Sequence, residues 1–459
     1  MLERNSEKKL FQWYNKQNRK PLVLRGARQV GKSTLVRQFA LKNKIILHEI
    51  NLEKHMDMDT IFQSLNIERI IQEIEALLGA NIQQKGMLLF LDEIQSTPYA
   101  IQALRYFYEE KPQIAVISAG SLLEFSLSET SFSIPVGRIE YLHLGPLTFN
   151  EFLNALDPVL NENISAYDLT TVLPMQSHKK LLAKQREYLF TGGMPEAVMT
   201  YKNSLSFAEI FDVHRSIVET YQDDFSKYAQ KNELALMQRV FRYIPRYICT
   251  KIKYTNISQD HRAKTIKAII ELFEKARICH KVYHSHCAGL PLYADIDEKV
   301  FKLIFMDIGI VNHICGNDWI SIQSLMDKQL VNEGPLAEQF IGQHLILKNN
   351  TRPGLCYWLR EKKISNAELD YVVSQGNLTV PVEVKAGKSG SLKSLHQFIA
   401  EKKMSFAVRF DLNPPSLQKI QHTTVTKTGK QMVSFDLLSL PLYMVEEMPR
   451  LLDQYRIGF

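Results

Sequence analysis

From Gly26 to Thr34 the chain reads Gly-Ala-Arg-Gln-Val-Gly-Lys-Ser-Thr, with two glycines, a lysine and two hydroxyls at the spacing G-x-x-x-x-G-K-[ST]. Glycines let a backbone curl around a compact anion so that successive N–H groups point inward. A lysine closing the curl places an ammonium on the outer phosphate oxygens, and the hydroxyl beside it can ligate a divalent cation. That chemistry suits a nucleoside triphosphate. Gly26, Ala27, Arg28, Gln29, Val30, Gly31, Lys32, Ser33 and Thr34 are therefore the candidate nucleotide-binding residues, with Lys32 on the β- and γ-phosphates and Ser33 on Mg²⁺.

A triphosphate site that hydrolyses needs carboxylates, and the stretch GMLLFLDEIQ supplies two after five apolar residues, Met87 to Leu91. Asp92 is the candidate metal carboxylate, and Glu93 the residue that orients or deprotonates water. A further apolar run, QIAVIS, leads into AGSLLEF. Ser121, with Ser118 as the second choice, is the candidate hydroxyl for the γ-phosphate or the water. Arg138, in PVGRIEYL, is the candidate γ-phosphate-sensing cation, on its own nucleotide or a neighbour's. The chain contains no NKxD or TKxD tetrapeptide of the kind that reads guanine, which favours ATP over GTP.

The elements that must position these residues follow from the flanks. PLVL before the glycine loop, MLLFL before the acidic pair and QIAVIS are short apolar runs, as expected of strands buried on both faces of a parallel sheet. TLVRQFALKN after the loop has Leu35, Val36 and Phe39 on one side of a helix, whose N-terminus would add its positive end to the phosphate site. Residues 1–150 are thus expected to form an αβα parallel-sheet domain. The segments PLVLRGARQVGKSTLVRQFA, LFLDEIQ, ALRYFYEE, AGSLLEF, GRIEYLHLGPLTFNEFL and GGMPEAV, taken in order, resemble the bacterial and archaeal AAA-type ATPases that carry a DUF4143 region. The resemblance implies a P-loop NTPase domain binding ATP and Mg²⁺, and supplies no substrate.

From about 150 to 331 the pattern changes to apolar residues at three- and four-residue spacing, expected of amphipathic helices. TGGMPEAV reads as a turn jointing two of them. ELALMQRVFRYIPRYI and QDHRAKTIKAIIELFEKARI are helices. CHKVYHSHCAGLPLYADIDEKVFKLIFMD alternates around a Gly289-Leu-Pro291 turn as a hairpin wing would, and resembles the winged-helix portion of the family. Arg262, Lys264 and Lys267 are its candidate DNA contacts. On a strand His280, His284 and His286 share one face and Cys279 and Cys287 the other. No fourth tetrahedral ligand lies nearby, so the expectation is a polar wing face and not a metal site.

Residues 332–459 are expected to form an α/β domain. The helix GPLAEQFIGQHLILKN carries Glu338. Three strand-like segments follow, then the helix SLKSLHQFIAEK and the strand SFAVRF. That α-β-β-β-α-β order resembles the PD-(D/E)xK nuclease fold. Asp370 falls in the first strand of a hairpin, and Glu383 and Lys385 point to one side of the next. Asp370, Glu383 and Glu338 are the candidate oxygen ligands for Mg²⁺ or Mn²⁺. Lys385 would stabilise charge or position water, and Gln397 is a supporting candidate.

The chain has 459 residues, enough for two or three domains, with 45% hydrophobic and 23% charged residues, as in ordinary globular proteins. A net charge of +7 permits an anionic partner such as DNA, though the charge is scattered in short groups. Five cysteines without a CxxC pair point to a reducing compartment. No signal peptide or membrane span is legible, so the expectation is a cytoplasmic chain with no membrane partner. The function these features suggest is ATP hydrolysis coupled to a DNA-directed winged-helix and nuclease-like module. The alternative is an ATP-dependent protein switch or scaffold whose nuclease-like fold is inactive. A homo-oligomer is compatible with either.

Overall fold

The structure is a computed structural model that describes residues 2–120, 137–228, 231–317, 333–349, 354–361, 366–426 and 429–458. It divides into two compact units. The first comprises 1–146 with 223–230 and 271–278, and the second comprises 147–222, 231–270 and 279–459.

The first unit is built on five parallel strands: β1 (Leu22–Arg25), β2 (Ile46–Asn51), β3 (Met87–Asp92), β4 (Val116–Ala119) and β5 (Glu140–His143). Their order across the sheet is β2-β3-β4-β1-β5, so the loop after β1 emerges beside the end of β4 and one strand from the end of β3. The sheet is covered by helices whose apolar residues recur every three or four positions. In Ile67–Leu78 these are Ile67, Ile70, Ile71 and Ile74, all buried, and the Asn66 side chain caps the first turn by accepting from the Arg69 N–H. β2 and β5 were not read as strands from sequence. β2 carries His48, Glu49 and Asn51 on a pattern that is only partly buried.

The second unit holds helices and one mixed sheet of eight strands, ordered β12-β13-β11-β10-β9-β8-β6-β7. Its strands are β6 (Cys279–Ser285), β7 (Ile296–Phe305), β8 (Cys356–Arg360), β9 (Ala367–Gln375), β10 (Leu378–Val384), β11 (Phe406–Asp411), β12 (Ser416–Thr426) and β13 (Gly429–Pro441). The helix Glu333–Asn349, then β8, β9 and β10, the helix Lys393–Lys402 and β11 follow in the expected α-β-β-β-α-β order. The β12–β13 hairpin and the helix Met448–Gly458 lie beyond it.

The hairpin expected as a wing departs from expectation. β6 pairs antiparallel with β7, and on its other side runs parallel to β8, with Tyr283 opposite Cys356 and His284 opposite Tyr357. The expected boundary between 331 and 332 therefore falls inside one sheet. The physical reason is burial: six of the seven residues of β6 are buried, which leaves no solvated face for a wing. His280 and His284 are buried too, so they do not form the polar face expected, and His284 Nδ1 accepts the Leu359 N–H at 3.2 Å.

Within the second unit the TGGMPEAV turn joins the helices Met175–Thr191 and Pro195–Ser204. Gly192 has φ +68°, and a Cβ there would lie 2.1 Å from Asp307 Oδ1. A Cβ on Gly193 would lie 2.0 Å from the Leu147 carbonyl oxygen. Side chains are excluded from the turn because Asp307 sits against it. Its Oδ2 accepts the Gly193 N–H at 2.7 Å, and its Oδ1 accepts the N–H groups of Gly309 and Ile310 at 2.9 and 3.1 Å, capping the helix Ile308–Cys315. Among the described residues no helix is long and apolar enough to cross a membrane.

Candidate active site

The loop between β1 and the helix Lys32–Lys42 takes the conformation its glycines permit. Gly31 has φ +89° at the helix N-cap. Gly26 is pressed against the strand-end backbone: a Cβ there would lie 2.1 Å from the Leu144 carbonyl oxygen. Two groups brace the loop from outside. Arg4 donates to the Val30 carbonyl at 3.1 Å and to the Gly145 carbonyl at 2.6 Å. Arg28, inside the loop, forms an ion pair with Asp224, whose side chain is almost fully buried on the helix Phe207–Tyr228.

Lys32 is buried, and its ammonium donates to the carbonyls of Gly26 and Ala27 at 3.0 and 2.9 Å. Those two acceptors cradle the cation where a phosphate oxygen would meet it. The Ser33 hydroxyl lies beside the carboxylate of Asp92 at the end of β3. Burial pushes the Asp92 carboxyl above the usual range, and the Ser33 hydroxyl opposes that rise. A hydroxyl and a carboxylate meeting beside the loop are the two protein ligands a triphosphate-bound Mg²⁺ takes from such a site. The donor set therefore fits the nucleotide and the ion.

Glu93 lies next to Asp92 with φ +52°, the left-handed region that a residue with a side chain enters at a cost of about 1–3 kcal/mol. Its N–H donates to Asp92 Oδ1 at 3.1 Å, and its carboxylate accepts the Gln95 amide N–H at 2.6 Å. The Gln95 side chain lies under Gly120, where a Cβ would meet its Oε1 at 2.3 Å, and that oxygen is buried without a hydrogen-bond partner. Gln95 was missed from sequence. Its signal was its place two residues after the acidic pair.

Ser121 lies outside the described residues. Ser118 is inside β4, fully buried, with a hydroxyl that has no hydrogen-bond partner. Arg138 is placed away from its own loop. β5 runs parallel to β1 with Glu140 opposite Leu22, so Arg138 precedes the start of the strand pair. The glycine loop follows its far end, about 10–13 Å further at strand rise. Arg138 instead donates to Glu109 at 2.6 Å.

The C-terminal candidates converge, with additions. Asp370 on β9 accepts the Val384 N–H at 2.7 Å, and Lys385 donates to Glu383. Asp370 and Glu383 are raised above the usual carboxylate range, Glu383 to about 7, by burial first. Glu338, on the helix Glu333–Asn349, is pushed up to about 8 by burial, and its carboxylate accepts from Lys302, a residue of β7. Lys302 also donates to Glu368 at 3.4 Å. Glu368 and Lys302 were not among the sequence candidates, although a lysine in the apolar run KVFKLIF signals a buried charge that needs partners. Gln397 donates along its own helix to Glu401 at 3.0 Å and stays out of the cluster. Among the described residues no group of three or more His, Cys, Asp or Glu is arranged to hold a metal ion. Arg262, Lys264 and Lys267 are exposed.

Three family models match successive parts of the chain. An AAA domain covers residues 18–153, a domain of unknown function, DUF8612, covers 182–321, and a second, DUF4143, covers 333–434. No curated protein matches. A solved structure of the ORC1 protein of Aeropyrum pernix in complex with DNA is similar at 12% identity, over 71% of this chain and 95% of that one, with a TM-score of 0.23. A likeness that loose fixes neither fold nor partner. The AAA match spans the glycine loop, Asp92 and Glu93, so residues 18–153, with their parallel sheet, are similar to an AAA domain, and residues 333–434 are similar to DUF4143.

Proposed function

We propose that the chain hydrolyses ATP at the mouth of β1 and β3 and passes the nucleotide state along its helices to a DNA-directed output. The observation that supports the reading is the Ser33–Asp92 contact beside the Lys32 cradle, with Glu93 on the next residue. The amides of residues 26–34 wrap the phosphates, and Lys32 exchanges its two loop carbonyls for phosphate oxygens. Ser33 and Asp92 hold the ion, which when bound neutralises charge on the transferring phosphoryl group. Glu93 takes or orients the proton of the attacking water, and the Gln95 amide fixes its carboxylate. Arg138, facing away from its own nucleotide, is left to act on a neighbouring copy in a homo-oligomer.

The route outward begins at Arg28. Its partner Asp224 sits near the C-terminal end of the helix Phe207–Tyr228, so a loop rearranged by phosphate pulls on that helix directly. At the output, the exposed Arg262, Lys264 and Lys267 at the start of the helix Ala263–Lys275 offer a basic face to phosphate backbone.

The test is the ATPase rate of the purified chain with single-stranded, duplex or branched DNA, beside Lys32→Ala. Wild type is expected to turn over ATP, and Lys32→Ala to lose detectable turnover, because a charge-assisted contact to phosphate is gone. An unchanged rate in Lys32→Ala sinks the catalytic reading. If no DNA alters the rate and none binds in a salt-sensitive way, the output is a protein partner and the chain is the switch of the alternative reading.

A further inference from the structure

The C-terminal acidic centre already contains a cation. Lys302 lies on β7 with its side chain fully buried, and its ammonium reaches Glu338 and Glu368. The same ammonium stands 4.8 Å from the ring centre of Tyr357 and 5.0 Å from that of Tyr371, so aromatic faces close the remaining sides. Tyr371 is itself pinned, its hydroxyl donating to the Glu338 carbonyl at 2.9 Å. Burial alone would lower the lysine's proton affinity, but Glu338, Glu368 and Asp370 together raise it, so it stays charged.

We infer that the Lys302 ammonium is the resident counter-cation of the Glu338–Glu368–Asp370–Glu383 cluster, and that it excludes a catalytic divalent metal from this centre. Glu338, the ligand expected from the helix, is engaged by Lys302. Asp370 gives one oxygen to the Val384 amide, and Glu383 gives one to Lys385. The second Glu383 oxygen is buried without a hydrogen-bond partner, and beside these carboxylates stands an ammonium that repels an incoming dication. Mg²⁺ and Mn²⁺ entering there would meet the like charge of the buried ammonium at close range, and that repulsion is what disfavours them. The lysine reaches the cluster only because β6 and β7 are continuous with β8 to β10, which brings residue 302 over the strands carrying 368, 370 and 383. The centre is then a closed ion-pair network that holds the helix Glu333–Asn349 to the sheet. This inference stands whether or not the chain acts on DNA.

The probe is Mn²⁺ alone, with nucleotide-free full-length protein, its uptake followed by loss of the free-ion paramagnetic resonance signal. Wild type and Glu383→Gln are expected to take up Mn²⁺ alike, showing no binding that depends on Glu383. Lys302→Met, which keeps the stem and removes the charge, is expected to bind Mn²⁺ at least about tenfold more tightly than wild type. Its thermal midpoint should rise on adding Mn²⁺ while that of wild type does not. Wild-type uptake abolished by Glu383→Gln overturns the inference, as does a folded Lys302→Met that gains none. Should Lys302→Met fail to fold, the wild-type and Glu383→Gln comparison decides alone.

Discussion

Replacing Glu93 with glutamine is expected to lower ATP turnover by about 10²–10⁴-fold while ATP still binds, the range a general acid–base residue contributes. The substitution is nearly isosteric at a demanding position. The backbone at residue 93 is left-handed whatever the side chain, and a glutamine carbonyl can still accept the Gln95 N–H that the carboxylate accepts now. Only the basicity and the charge are lost. The loop, Lys32 and the Ser33–Asp92 contact are untouched, so the affinity should stay close to wild type. Calorimetric ATP binding with a single-turnover hydrolysis assay separates the two quantities. Wild-type turnover in Glu93→Gln would show that water is activated elsewhere.

The largest effect on stability is expected from Asp307→Ala. Three backbone N–H groups, those of Gly193, Gly309 and Ile310, end on this carboxylate, which is wholly buried. Its burial pushes the carboxyl up to about 6 in spite of those donors. Truncation strands all three amides where little water reaches, and each stranded buried donor costs about 1–3 kcal/mol. A loss of about 3 kcal/mol or more is therefore expected. Asp307→Asn should fall between, since one of its two polar ends presents N–H to the Gly193 N–H. Urea unfolding followed by the fluorescence of buried Trp358, which reports on the second unit, gives the measurement. A shift equivalent to less than about 1 kcal/mol would mean that the turn is held by other contacts.

The arrangement around the glycine loop was legible because it is local. Residues 26–34 are consecutive, and Asp92 and Glu93 follow an apolar run that cannot be mistaken for a helix face. The helix order of the middle region and the α-β-β-β-α-β order of the C-terminal region were legible for the same reason, since periodicity is a property of neighbours. What depended on strand pairing was not. The place of Arg138 was not legible: the rung joining Glu140 to Leu22 sets it before the start of β5, away from its own glycine loop. Lys302 and Glu338 are 36 residues apart and meet only through the eight-strand order, and Arg28 and Asp224 are 196 apart. β2 and β5 went unread because strands of four to six residues with polar positions give too little alternation to separate from loop.

The sheet order has a practical consequence for dissecting the chain. A fragment beginning at residue 332 would lack the strand that lies alongside β8, leaving a row of main-chain donors and acceptors open to water. Such a bare edge recruits other chains, so that fragment should aggregate, whereas one that begins ahead of residue 279 keeps its border closed.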